Sequence, residues 1–256
     1  MDDNCKNTLS SKLITQTRPN TMQDCIIPDV YFVTGTDTDV GKTVCCQALL
    51  QAANKQKLRT LAYKPIAAGC EQTPYGLRNH DAELLQKTCN LDVVYKLVNP
   101  IAFTPAIAPH IAAQLENKPI EQSYISQGLE RLKSLKTDLI IVEGAGGWRL
   151  PLNAHETLSD WVVTQKLSVI LVVGMKLGCL NHAILTYESI INDGLKVVGW
   201  IANQVEKNMP YYALNIETLK HKINAPMIAE IPHLQNINEQ DLSAYVDFNF
   251  AAKRII

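Results

Sequence analysis

The arrangement in this chain that most suggests chemistry is a glycine, five residues and then Gly-Lys-Thr: Gly35-Thr36-Asp37-Thr38-Asp39-Val40-Gly41-Lys42-Thr43. Gly41 lets the backbone turn without a Cβ, the free N–H groups of a helix start face anionic oxygens, and Lys42 brings a point charge to the outer phosphates. The Thr43 hydroxyl then suits a magnesium ion. The common phosphate loop has four residues where this one has five, and counting back four from Gly41 lands on Thr36. Three further residues invite a role. Lys64 precedes Pro65 at the end of an apolar run, so its backbone avoids the helical region and its position falls beyond a strand's carboxyl end, where ligands of open parallel sheets gather. The alternative for Lys64 is a solvated surface charge. Asp81 opens a helical stretch as either an acid favourable to the helix dipole or a magnesium ligand. Glu143 ends the run Leu139-Ile140-Ile141-Val142 and precedes Gly144-Ala145-Gly146-Gly147. It either caps a turn or faces a phosphate-bound metal, and the phosphate loop upstream favours the metal.

These residues need a scaffold that presents strand ends to one place. Val30 to Val33 reads as a buried strand and Val44 to Asn54 as a helix, the context a phosphate loop requires. Further strands are expected at Arg59 to Tyr63, Leu139 to Val142, Ser168 to Gly174, Lys196 to Ala202 and Met227 to Ile231. Runs of large aliphatics imply burial on both faces, as in a parallel sheet. Helices are expected from about Asn79, over Ile120 to Leu135, from Thr157, from about Cys179 to Asn192, over Tyr211 to Ile223 and from Asn238 to about Ala252. Gly69 to Asn79 reads as a loop. The proline-rich stretch 99–119 reads as short helical pieces bordering a cleft or a subunit contact, with His110 packed in the core. The Gly174 strand end and the helix start after it form a second candidate anion site, suited to a carboxylate. The alternation predicts an α/β fold: one doubly wound, mostly parallel sheet with helices on both faces, spanning residues 27–256 as a single P-loop domain. Residues 1 to about 26 are polar and aperiodic and read as a flexible extension, with Met22 a candidate alternative start.

Composition narrows the classes. A formal net charge of −1 over 256 residues gives no support for nucleic acid or an anionic membrane as partner, and no apolar run approaches the ~20 residues of a spanning helix. Seven cysteines without a C-x-x-C pair argue against a disulfide framework or structural zinc and for a reducing, cytoplasmic setting. Cys45 and Cys46 fall within the first helix, where small buried hydrophobes fit.

Taken together, G-T-D-T-D-V-G-K-T, K-P-I-A-A-G, L-R-N-H-D, V-E-G-A-G-G-W, V-G-M-K-L-G-C-L-N-H-A and the closing E-I-P resemble the dethiobiotin synthetase family, in order from about Val30 to Glu239. The resemblance implies an ATP- and Mg2+-dependent ligase that joins 7,8-diaminononanoate and carbon dioxide into a cyclic urea. It implies Thr43, Asp81 and Glu143 as the magnesium shell, Asp39, Val40, Gly41, Lys42, Thr43 and Val44 around the phosphates, and Lys64 as a catalytic lysine alongside Lys42. Thr38 and the backbone around Gly146 and Gly147 would lie near the diamine, Ala68 would belong to the substrate site, and Gly144, Ala145 and Gly146 to the nucleotide site. Gly178, Cys179, Leu180 and Asn181 would receive the diamine carboxylate from across a homodimer. Asn203, Gln204, Pro232, His233, Leu234 and Glu239 would surround adenine and ribose. Ala68 stands where a better-known form of the motif has serine, Gln204 where an acid is often found, and His233 where a bulky aromatic sits. The rival reading is a switch ATPase of the partitioning or metal-delivery kind. Such proteins favour an additional lysine near the start of the loop, where this chain has Thr36 and Thr38.

Overall fold

The computed structural model describes residues 29–235 and 240–248, so the expected extension over 1–26 and Glu239 lie outside the described residues. β1 (Asp29–Gly35) buries Tyr31, Phe32 and Val33 and leads through the phosphate loop into α1 (Lys42–Lys55). β2 (Thr60–Tyr63) is followed by β3 (Ile66–Ala67), the hairpin strands β4 (Glu71–Thr73) and β5 (Gly76–Arg78), α2 (His80–Thr88) and α3 (Tyr95–Val98). β6 (Ile101–Ala102), α4 (Pro109–Leu115) and α5 (Gln122–Lys133) then lead to β7 (Leu139–Gly147). A regular alternation completes the chain: α6 (Leu158–Thr164), β8 (Ser168–Gly174), α7 (Cys179–Asn192), β9 (Val197–Asn203), α8 (Tyr212–Lys222) and β10 (Met227–Ile231).

The six long strands form one parallel sheet in the order β10-β9-β8-β1-β7-β2. Side chains alternate between its faces. Tyr31, Val33, Ile141, Ile170 and Val172 pack with Cys45, Cys46, Leu49 and Leu50 of α1 and Leu85 of α2. Phe32, Ile140, Val142 and Leu171 point the other way, against Ile125 and Leu129 of α5, Trp161 of α6, Ala183 of α7 and Leu219 of α8. The sheet is therefore covered on both faces, as the unbroken aliphatic runs require. β1 lies between β7 and β8, so the phosphate loop emerges beside the carboxyl ends of two neighbouring strands.

The structure departs from the sequence reading in three places. β7 does not stop at Val142 but continues to Gly147, because Gly35 and Gly147 still pair after a register shift between Val33 and Gly35. The glycine-rich stretch is thus a strand laid along the site. The segment after Gly69 contains the β4–β5 hairpin, whose turn is closed by Thr73: its hydroxyl donates to the Gly76 carbonyl at 2.7 Å and accepts from the Tyr75 N–H at 3.1 Å. The helix expected from Asn238 gives, within 240–248, only a single 3-10 turn at Ser243–Tyr245 and a bridge between Ala229 and Val246. Among the described residues no helix is long and apolar enough to cross a membrane.

Candidate active site

The ends of β1, β2 and β7, the start of α1 and the segment before α4 enclose a cleft of about 780 Å3. Its phosphate-loop wall is Thr38, Asp39, Gly41, Lys42, Thr43 and Val44. Gly41 is in the left-handed region at φ 82 and precedes α1 with no side-chain cap, which leaves the helix-start N–H groups available to an anion. A Cβ at Gly41 would collide with the Asn203 amide, whose Nδ2 donates to the Val40 carbonyl at 2.8 Å. Glycine is therefore required here both by torsion and by space. The Lys42 ammonium is buried and donates to the Asp37 carbonyl at 2.9 Å. Burial is the strongest influence on Lys42 and lowers its pKa from the usual lysine value, with nearby Lys64 adding to the effect and Glu143 opposing it.

On the opposite wall a three-residue charge cluster converges. Lys64, at the end of β2, donates to Glu143 Oε1 at 2.7 Å and to Asp81 Oδ2 at 3.0 Å. Burial alone would depress the Lys64 ammonium, but the two carboxylates outweigh it and hold its pKa above the ordinary lysine value. The choice left open between a surface lysine and an inward-facing one is settled by geometry: Lys64 is 6% exposed. Glu143 accepts on the same Oε1 from the Thr43 hydroxyl at 2.8 Å, while its buried Oε2 has no hydrogen-bond partner among the described residues. A buried carboxylate oxygen without a donor is costly unless something cationic meets it. The donor set of one hydroxyl and two carboxylates is all hard oxygen, which fits magnesium. No cluster of three or more His, Cys, Asp or Glu suited to a metal occurs among the described residues, so a metal here depends on Thr43 as well as on the acids.

Ala68, Gly144, Ala145 and Gly146 also line the cleft, and the Thr38 hydroxyl lies beside Gly146. The rest of the wall is Ile66, Ala67, Asn79, Ala106, Ile107, Ala108, Pro109 and Leu150. The proline-rich stretch signalled the cleft-bordering role of Ala106 to Pro109, whereas Leu150 and Ile66 carry no local signal separating them from core residues. His110, expected in the core, is only partly buried, and its Nδ1 is a buried atom without a hydrogen-bond partner among the described residues.

Val40, Gly147 and two groups of expected site residues stay outside the lining of this cleft; Val40 is buried, with its side chain against Gly35 and Gly174. Gly178, Cys179, Leu180 and Asn181 form the start of α7; Asn181 is exposed, and the preceding Lys176 pairs with Asp37 of the phosphate loop at 3.4 Å. Asn203 reaches the phosphate loop through Val40 rather than lining the cleft. Gln204 follows it at the end of β9 with its N–H on the Ile231 carbonyl at 2.8 Å, which brings it next to Pro232, His233 and Leu234 beyond β10.

A family model described as an AAA domain matches residues 29–241. The chain is 49% identical over 221 residues to the ATP-dependent dethiobiotin synthetase BioD of Aliivibrio salmonicida, covering 86% of this chain and 97% of that one. It is 48% identical over 219 residues to the protein of the same name from Aeromonas salmonicida, with 86% and 97% covered. Among solved structures it resembles the MinD cell division protein of Aquifex aeolicus, with a TM-score of 0.55, 15% identity and 88% and 96% of the two chains covered. A ParA family ATPase from Chlorobium tepidum superposes with a TM-score of 0.50 at 15% identity over 88% of this chain and 93% of that one. At such identities the structural likeness speaks for the fold alone.

Proposed function

Because the chain belongs to the ATP-dependent dethiobiotin synthetase family, we propose that it converts 7,8-diaminononanoate, carbon dioxide and ATP into dethiobiotin, ADP and phosphate. One substrate amine captures carbon dioxide as a carbamate and releases a proton. The carbamate oxygen attacks the γ-phosphorus, ADP leaves, and the second amine displaces phosphate from the mixed anhydride to close the ring. Two anions must meet for the middle step, so the site needs positive charge that costs no reorganisation at the moment of transfer.

The observation that carries this reading is the buried Lys64, fixed by Glu143 and Asp81 in the cleft that also holds the phosphate loop. Lys42 and the α1 N–H groups hold the outer phosphates, and Lys64 faces the carbamate. Thr43, Asp81 and Glu143 would hold Mg2+, which when bound draws charge from the phosphates. The orphaned Glu143 Oε2 supports that assignment. The apolar side of the cleft, from Ala67 and Ala68 to Ile107 and Leu150, suits the hydrocarbon chain of the diamine. Asn203, Gln204, Pro232, His233, Leu234 and Glu239 would surround the nucleoside.

The absence of Gly178 to Asn181 from the cleft lining, with Asn181 exposed, supports a homodimer in which each copy offers this segment to its partner's diamine carboxylate. The test of the whole reading is phosphate release with Mg-ATP and bicarbonate, with and without the diamine, together with mass detection of dethiobiotin. Diamine-independent phosphate release with no product would instead assign the chain to the switch ATPases.

A further inference from the structure

Lys64 and Asp81 lie on different elements, 17 residues apart, so their ion pair depends on how those two elements are held together. A chain of buried polar groups joins the two elements that carry them. The Asn99 side chain donates through Nδ2 to the Lys64 carbonyl at 2.7 Å. Its Oδ1 accepts from the Tyr95 hydroxyl at 3.1 Å, and that hydroxyl in turn accepts from the Asn79 N–H at 2.8 Å. Asn79 caps α2, its Oδ1 accepting from the Ala82 N–H at 3.2 Å, and so sets the first turn on which Asp81 stands. Asn79, Tyr95 and Asn99 are all buried, and the Lys64 N–H is held as well, on the Val98 carbonyl at 2.8 Å. The Arg78 guanidinium lies over the Tyr95 ring, 4.1 Å from its centroid.

We propose that Tyr95 and Asn99 are positioning residues for the catalytic ammonium: the relay Lys64 C=O, Asn99, Tyr95, Asn79 locks β2 to the start of α2 and thereby fixes Lys64 against Asp81. The role in turnover rests on the ligase reading above; the role in placing Lys64 does not. The Tyr95 hydroxyl is the decisive link, because it is the donor to one arm and the acceptor for the other. Removing it leaves the Asn79 N–H and the Asn99 Oδ1 without their shared partner in a buried place, which frees the two arms to drift apart.

Tyr95→Phe keeps the ring, its packing and the Arg78 contact while deleting the link. Two readouts separate placement from general weakening. In the ligand-free protein, the rate at which N-hydroxysuccinimide acetate labels each lysine is followed by peptide mass spectrometry. The expected result is that Lys64 labels severalfold faster in the variant while Lys42, equally buried but held by the phosphate loop, is unchanged. Unchanged labelling of Lys64, or a parallel rise at Lys42, overturns the proposal. In turnover, kcat is expected to fall roughly tenfold with KM for ATP within about twofold, a smaller loss than the ~10²-fold of a full 1 Å misplacement. An unchanged kcat overturns the positioning role even if Tm falls. Asn99→Asp, whose carboxylate still accepts from Tyr95 but cannot donate to the Lys64 carbonyl, is expected to reproduce the Lys64 labelling. If Asn99→Asp leaves Lys64 protected, the Asn99 arm is refuted. Absence of diamine-dependent turnover in the unaltered protein counts against the ligase reading, and the labelling result still decides the placement of Lys64.

Discussion

Lys64→Met tests whether the charge cluster is built as the geometry says, because Met fills nearly the same volume without the ammonium. In the unaltered protein the Lys64 side chain is 7% exposed and that of Glu143 1%, so neither charge is well solvated. Deleting the ammonium leaves Glu143 with the Thr43 hydroxyl at 2.8 Å on one oxygen and, among the described residues, no hydrogen-bond partner on the other. Breaking one side of a buried pair costs about 3–5 kcal/mol. The Thr43 hydrogen bond relieves part of this, so roughly 2–4 kcal/mol is expected at neutral pH. For a chain of this size that corresponds to a Tm loss of about 5–15 °C. Replacing Glu143 as well, in Lys64→Met/Glu143→Gln, removes the stranded charge, and the double variant is expected to be more stable than the sum of the two single changes by at least about 1 kcal/mol. Urea unfolding in EDTA gives the three free energies. Adding Mg2+ is expected to restore stability to Lys64→Met, since the freed carboxylate then meets a cation, and to do much less for the double variant. Additive losses, or a single-variant loss below about 0.5 kcal/mol, would refute the buried coupling. Diamine-dependent turnover is expected to vanish in Lys64→Met although the protein remains folded.

Asn181→Ala is expected to raise KM for the diamine at least about tenfold with KM for ATP within twofold. If the proposed homodimer shares its sites, mixing this variant with Lys64→Ala is expected to regain turnover, because a mixed dimer would then contain one intact composite site; no recovery after subunit exchange would argue against a shared site. Asp193→Ala removes the acceptor of the buried Trp148 indole at 2.8 Å and the partner of Arg149 at 2.7 Å, so a loss of about 1–3 kcal/mol is expected in urea unfolding. Asp138 is held below its usual carboxylate range chiefly by the Arg59 guanidinium, which meets it at 2.8 and 3.0 Å. A folded-state pKa below the unfolded one gives stability that is present above pH 3.8 and is lost as pH falls toward the lowered value. The stability gap between Asp138→Asn and the unaltered protein is therefore expected to be constant near neutrality and to close below that pH, which acid titration of the two unfolding curves measures.

The sheet was legible because its signals are local. Four or more consecutive apolar residues mark β1, β7 and β8, and a glycine, five residues and then Gly-Lys-Thr mark the helix start after the first. The site was legible at Lys64, Asp81 and Glu143 only as alternatives, since a strand-end acid or lysine looks the same in sequence whether it faces solvent or another charge. What decides is the order β1-β7-β2, which puts the ends of strands far apart in the chain side by side. The continuation of β7 through its glycines was hidden for a different reason: glycine disfavours strands, and only pairing with Gly35 across the sheet overrides that preference. Tyr95 and Asn99 escaped notice because each is an ordinary residue in a short helix or turn, and their significance is a chain of contacts rather than a motif.

The position of Asn203 bears on how the nucleotide and the phosphate loop are connected. Its Nδ2 donates to the Val40 carbonyl, and its amide, together with the positive φ there, forbids a side chain at Gly41. If the proposed contact of Asn203 with the nucleoside is made, one side chain would serve both base recognition and support of the phosphate loop. The two roles pull apart in Asn203→Asp, which cannot donate to Val40 but still offers an oxygen to a base. If loop support is the larger part, this change weakens ATP, ADP and inorganic phosphate alike, whereas loss of a base contact weakens the adenine nucleotides and spares phosphate. The geometry favours the uniform loss, because the Val40 bond is buried and there is no other side-chain donor to that carbonyl among the described contacts.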